Sequence, residues 1–363
     1  MSEKKYKVFA VNPGSTSTKV ALFVGDEKIF SENVSHDASK LAEFKGVSDQ
    51  LEYRIETIDE IIKKNNVDLS GLDACVGRGG GLPPIVGGTY EVTDLLYNHA
   101  KIGINGTTHP AQLGVQIAKS YADKFGCTAF TVNPPDVDEF EPVARVTGIK
   151  GVKRQSHLNA LNLKETAIRH AKSMGKKYED MNFIVCHIGG GVSVSAHKKG
   201  LMVDGNDIIR GEGPMAPTRC GTIPASDMID ICFSGKSKAE VKQLCQKEGG
   251  FVSYFGTSDA RDVQKMAEEG NKEAALVFDG MIYQICKTIG EMATVLKGEV
   301  DGILLGGGIV YSDYVVEKIK EYCSFIAPVT AYPGEFEMEA LAQGAIRVLS
   351  GEEEAKVYEY TAE

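Results

Sequence analysis

Two arginines are set among glycines. Arg78 lies in Cys75-Val76-Gly77-Arg78-Gly79-Gly80-Gly81, and Arg219 in Ala216-Pro217-Thr218-Arg219-Cys220-Gly221-Thr222. A guanidinium on a stiff loop can grip a carboxylate or a phosphoryl group through two parallel N–H bonds. An arginine in such a place could equally serve a surface ion pair, so the residue type alone leaves both readings open. Acidic side chains gather at Asp136, Asp138, Glu139 and Glu141, just past the apolar run Ala129-Phe130-Thr131-Val132. Carboxylates at the end of a strand can hold Mg²⁺ through water, although most are merely solvated. His109 and His157 fall in loop sequence. No His/Cys spacing suits zinc, and no G-x-S-x-G elbow offers a serine nucleophile.

Glycine and hydroxyl residues concentrate in "NPGSTSTKV", residues 12–20. A P-loop reads G-x-x-x-x-G-K-[ST] and opens a helix. Here Lys19 follows Gly14 at the right distance, but Thr18 replaces the second glycine and Val20 the final hydroxyl. Apolar runs on both sides make the segment the bend of a β-hairpin. The pattern recurs at 183–203: Phe183-Ile184-Val185-Cys186, then His187-Ile188-Gly189-Gly190-Gly191, then Val192-Ser193-Val194-Ser195-Ala196. A third cluster, Gly306-Gly307-Gly308-Ile309, ends an apolar run and precedes a helix opening at Ser312-Asp313. Glycine lets backbone N–H groups approach an anion with no Cβ in the way. One such cluster marks only a tight turn. Three of them, two in matching hairpins, imply a ligand held between two domains, and a triphosphate suits. The glycine spacing does not fit a dinucleotide fingerprint.

These loops need a scaffold. Leu51, Ile55, Ile58 and Ile62 share one helical face, as do Leu113, Ile117, Tyr121 and Phe125. A longer helix carries Phe278, Ile282, Ile285, Ile289, Met292 and Leu296, and a last one Met338, Leu341, Ala345 and Val348. Between them lie short apolar runs at 8–11, 20–24, 74–76, 129–132, 183–186, 192–196 and 303–305. Strands alternating with helices predict an α/β fold. The repeated hairpin predicts two domains of one design, residues 1–180 and 181–363, with the helix near 335–350 returning to the first. A chain of 363 residues accommodates two such domains.

The net charge of −10 disfavours nucleic acid or an acidic membrane as partner. No stretch approaches the roughly 20 apolar residues of a membrane helix. The opening MSEKKYKVFAVN has no signal-peptide core. Eight cysteines without a C-x-x-C pair read as reduced thiols, so a cytoplasmic protein is expected.

With Asn12, Gly14, Ser15, Thr16 and Lys19 beside "HIGGGVSVSAHKKGLMVDGND", "GEGPMAPTRCGTIP" and "LLGGGIVYS", the chain resembles the acetate kinase family, its butyrate kinases above all. That family sits in the superfamily of actin, Hsp70 and sugar kinases, and the resemblance runs from Val8 to about Gly351. It implies duplicated ribonuclease-H-like (actin-like ATPase) domains with an interdomain active-site cleft. Its reaction is reversible, in-line phosphoryl transfer from ATP to a short-chain carboxylate, with Mg²⁺. Asn12, Gly14, Ser15, Thr16 and Ser17 would lie near the transferred phosphate, with Lys19 facing phosphate or solvent. His187, Gly189, Gly190, Gly191 and Ser193 would form the second phosphate loop. Gly306, Gly307, Gly308 and Ile309 would belong to the adenosine site. Arg78 and Arg219 match the arginines that bind the carboxylate and the transferring group, His109 a histidine on phosphoryl oxygens, and Glu337 a magnesium-linked glutamate.

One position departs from the family. Asn133 stands where its members usually carry a catalytic Asp. Asp136 or Asp138 takes over its task, or charge neutralisation and positioning suffice, or the enzyme is weakened or repurposed. Acetate, propionate and branched-chain acids are alternative substrates. A nucleotide-driven conformational protein and a sugar kinase are alternative classes. The family analogy implies at least a dimer.

Overall fold

A computed structural model describes residues 4–106 and 108–360. The chain forms two compact units: Met1–Val137 with Phe336–Glu363, and Asp138–Glu335.

The first unit is built on β1 (Lys7–Pro13), β2 (Ser17–Val24), β3 (Glu27–Ser35), β4 (Ala74–Gly77), β5 (Thr89–Glu91) and β6 (Thr128–Val132). Their order is β3-β2-β1-β4-β6-β5. Strands β1, β2 and β3 are antiparallel neighbours, while β4 runs parallel to β1 and β6 parallel to β4. The central strand β1 is apolar over Val8-Phe9-Ala10-Val11, where both of its faces are covered. Phe9, Val11 and Cys75 meet Leu113, Ile117 and Tyr121 of the helix Gln112–Phe125. On the other face the helix Glu337–Ser350 comes so close that a Cβ on Gly344 would stand 2.6 Å from the Val132 methyls.

The second unit repeats the plan with β7 (Asn182–Ile188), β8 (Val192–Lys198), β9 (Leu201–Gly205), β10 (Gly302–Gly307) and β11 (Val329–Pro333), ordered β11-β10-β7-β8-β9. The antiparallel and parallel pairings fall in the same sequence as in the first unit. The strand irregularity also recurs in the same place, at Leu22/Phe23 of β2 and Ala196/His197 of β8. Apart from β5, antiparallel to β6 at the edge of the first sheet, the two sheets share one topology: the two domains of one design expected from the hairpins, and the duplicated actin-like ATPase fold implied by the family resemblance. The 24-residue helix Lys272–Val295 buries Phe278, Ile282, Ile285 and Ile289 in the second core, on the face read from its periodicity. The helix Ala160–Ser173, which precedes residue 180, packs against β7 and β10 of this unit.

Candidate active site

In the first unit, Asn12 ends β1 and Glu337 opens the C-terminal helix. Asn12 Nδ2 donates to Glu337 Oε2 at 2.7 Å, and the Arg78 guanidinium pairs with Glu337 Oε1. Burial works against ionisation of Glu337, but Arg78, Lys19 and the Asn12 bond outweigh it and hold its pKa below the usual value. Lys19 is itself exposed, so it acts on this carboxylate through space.

Arg78 is aimed by its backbone. Its N–H donates to the Val11 carbonyl, and the strand then runs against the start of the helix Gln112–Phe125. A Cβ on Gly114 would collide with the Arg78 carbonyl oxygen, and one on Gly77 with the Gly114 carbonyl. These two glycines are therefore required for close backbone approach, which fixes Arg78 within the sheet frame.

His109 precedes the same helix. Its ring Nδ1 accepts the Ala111 N–H at 3.1 Å, and its own backbone N–H donates to Gln112 Oε1 at 2.7 Å. A ring accepting at Nδ1 carries its proton on Nε2, which has no acceptor among the described residues. Burial, and then the Arg78 charge, lower its pKa. His109 is thus a neutral donor aimed outward.

The first hairpin bend has a feature that the sequence reading missed. Arg54, from the helix Leu51–Lys64, is fully buried and donates to the carbonyls of Gly14 (2.9 Å) and Ser15 (3.2 Å) and to Thr18 Oγ1 (3.1 Å). Thr18 Oγ1 also lies 2.8 Å from His36 Nε2.

Asn133 adopts a left-handed backbone, φ 39°, which Asn tolerates. Its Oδ1 accepts the Gly88 N–H at 2.7 Å while its N–H donates to the Gly88 carbonyl at 3.0 Å. Its side-chain oxygen closes a turn.

In the second unit, Asp138 does not fit the role of a free catalytic carboxylate. Its two oxygens accept from Arg145 at 2.7 and 2.8 Å, and from the N–H groups of Phe140 and Ser156. A side chain only 4% exposed and so fully engaged clamps a loop. Glu139 is likewise tied to Lys164, and Glu141 to Lys198. Asp136, in the first unit, accepts from Asn105. His157 bonds Asp207 at 2.8 Å. Among the described residues, no group of three or more His, Cys, Asp or Glu could cage a metal.

The second hairpin pairs His187 with Ser193, and Gly189 N–H bonds the Gly191 carbonyl across the bend. His187 Nε2 stands 3.8 Å from Glu335. Thr218 Oγ1 donates to the Gly190 carbonyl at 3.1 Å, tying the Arg219 loop to the bend. A Cβ on Gly191 would collide with the Arg219 guanidinium. That guanidinium makes no ion pair or hydrogen bond among the described residues, and burial lowers its pKa. A half-buried guanidinium without a counter-ion among the described residues has the charge and the free N–H donors to receive an anion.

Gly307, at φ +99°, lies so close to the Ile188 carbonyl that only glycine fits. Gly189, Gly190, Gly308 and Ile309 line a cavity of about 830 Å³, with Pro217 and Phe278 as apolar walls. Ser312 and Gln264, bonded to each other at 2.9 Å, add polar groups to the same wall. Asp259, Arg261 and Glu335 also line it, so the cavity combines apolar walls with charged groups beside the glycine bend, a lining with the size and mixed polarity that a nucleoside phosphate requires.

Residues 161–326 match the acetokinase family. Butyrate kinase 2 of Clostridium acetobutylicum is 47% identical over 98% of this chain and 99% of its own length. A probable butyrate kinase of Clostridium botulinum (strain Alaska E43 / Type E3) is 46% identical over 97% and 99%. The crystal structure of Porphyromonas gingivalis acetate kinase, 20% identical, covers 95% of this chain with all of its own, at a TM-score of 0.75, and so shares the fold. With nearly half of all residues shared end to end, the chain belongs to the acetokinase family, alongside butyrate kinases.

Proposed function

We propose that the protein transfers the γ-phosphate of ATP reversibly to a short aliphatic carboxylate, butyrate above all, giving an acyl phosphate and ADP. The observation that carries the reading is Arg219: a half-buried guanidinium without a counter-ion among the described residues, held against the glycine bend 189–191. The full-length likeness to butyrate kinases supports the four-carbon acid.

The chemistry needs no general base. A carboxylate is deprotonated at neutral pH and attacks as it stands. Asn133, with its side-chain oxygen on Gly88, is compatible with this. The remaining requirements are in-line placement and charge neutralisation. Arg78 grips the carboxylate, Arg219 the transferring group, and His109 Nε2–H donates to a phosphoryl oxygen. The amides of the two hairpin bends cradle phosphate, and the cavity beside Gly308 and Ile309 receives the adenosine.

Magnesium fits one carboxylate here. Mg²⁺ takes one or two carboxylates and shares phosphate oxygens, and Glu337 is kept ionised although buried. Glu337 would hold the ion after releasing Arg78 to the substrate. When bound, the ion neutralises charge on the β- and γ-phosphates. No helix among the described residues is long and apolar enough to cross a membrane. The eight cysteines are free thiols, which supports a cytoplasmic setting. At least a dimer is proposed by family analogy.

A hydroxamate assay across C2 to C6 acids, with Mg·ATP, tests reaction and chain length together. The expected maximum is at C4. Absence of acyl hydroxamate with every acid would overturn the reading.

A further inference from the structure

Arg54 is a cation at 0% exposure with no carboxylate partner among the described residues. Its Nε and Nη2 are held from one side by Gln50 Oε1, at 3.1 and 2.9 Å. From the other side it donates to the carbonyls of Gly14, Ser15 and Ser17 and to Thr18 Oγ1. The remaining carbonyl of the bend, that of Thr16, accepts the His36 N–H at 2.9 Å. Every carbonyl from Gly14 to Ser17 is therefore turned toward a protein donor. Peptide planarity then turns the N–H groups of Ser15 and Thr16 the opposite way. Neither N–H has an acceptor among the described residues, and both residues are exposed. Two successive outward amides over a buried positive charge form an anion cradle.

We propose that Arg54 is the positioning residue of the first phosphate loop: it holds the loop carbonyls from beneath so that the Ser15 and Thr16 amides face the γ-phosphate. The proposal rests on the carboxylate kinase reading for its reaction, but not for its binding consequence. Burying a guanidinium among dipoles costs desolvation, which its hydrogen bonds offset, and an apolar side chain in its place would leave the loop carbonyls and Gln50 without their donor. The charge serves the bend. Lysine would keep the charge but could not reach the acceptors on both sides in one plane.

The test compares Arg54→Lys and Arg54→Met with the wild type. Calorimetry measures affinity for Mg·ATP and Mg·ADP without any carboxylate. Both variants should lose about tenfold more affinity for ATP than for ADP, because only ATP carries the γ-phosphate. In the hydroxamate assay kcat should fall about 100-fold while the KM for butyrate stays within about twofold. A merely structural role would weaken both nucleotides and the carboxylate together, and that result would overturn the proposal, as would a kcat within about threefold of wild type. If the Arg54 variants do not fold, Gln50→Ala, which frees one side of the guanidinium, should show the same ATP-selective loss at about fivefold. Equal loss for both nucleotides in Gln50→Ala would likewise overturn it. Should the wild type make no acyl phosphate, the nucleotide comparison still decides Arg54.

Discussion

Arg78 and Glu337 form an ion pair across 259 positions of chain, joining the end of a central strand to the first residue of the C-terminal helix. Their side chains are 20% and 14% exposed, so solvent screens the pair only partly. Each is the charge the other needs while no substrate is bound. The pair thus couples the arginine proposed to bind the carboxylate to the proposed magnesium residue, and Asn12 of the first hairpin joins them through the second oxygen of Glu337.

Glu337→Gln keeps the size and an acceptor for Asn12 but removes the charge. The half-saturating Mg²⁺ concentration is expected to rise at least about tenfold, measured by titration at saturating ATP. An unchanged titration curve would leave Glu337 only as the counter-ion of Arg78.

Arg219→Ala separates function from stability. Removing a half-buried cation without a partner among the described residues leaves no orphaned charge, so the melting temperature should hold or rise slightly. Turnover should fall about 1,000-fold, since the loss falls on transition-state charge. Near wild-type kcat would remove Arg219 from the chemistry.

Gly114→Ala places a methyl group on the Arg78 carbonyl oxygen. Overpacking backbone against backbone should cost about 3 kcal/mol, and relief by a shift of the loop displaces Arg78. A lowered urea midpoint together with a raised KM for butyrate is the expected pair of results. A change in stability with no change in KM would show that Arg78 does not depend on this contact.

Acid should destabilise the first unit through His36. Burial, and then the nearby Arg54 charge, lower its pKa from 6.5 to about 4. The folded unit therefore resists a proton that the unfolded chain accepts. The sign follows: stability is full above pH 6.5 and declines as pH falls toward about 4, by at most about 3 kcal/mol. Urea midpoints at pH 7 and pH 4.5 should differ, and His36→Gln should narrow the difference.

Much of this protein was legible in one dimension. The hairpins at 12–20 and 187–196 announced themselves because glycines and polar residues interrupt an apolar run at each bend. The helices that cover the sheets were visible from their 3.6-residue period. The three-residue β5 was not, because it has no room for a period-2 pattern, and β11 was not, because its half-buried Val329-Thr330-Ala331-Tyr332 has no apolar run and Pro333 ends it. Arg54 was hidden for a different reason. It lies four residues before Ile58, on the buried side of an amphipathic helix, and an arginine there reads as a helix flank until its acceptors are seen. Asp138 was a candidate for the task of the family's Asp at the Asn133 position, but Arg145, seven residues on, engages both of its oxygens.

Residue type and spacing by themselves determined the α/β class, the duplicated hairpin, the glycine bends and the two loop arginines. Local sterics and hydrophobic period are properties of neighbouring residues, and so they survive in a string of letters. Only the tertiary structure decided which charges are spent and which are free. Arg54 and Asp138 are consumed in holding loops, Arg78 rests on Glu337, and Arg219 stands without a partner among the described residues. That difference depends on what burial and distance place within about 3 Å of each charge, and on residues far away in sequence that no local pattern brings together.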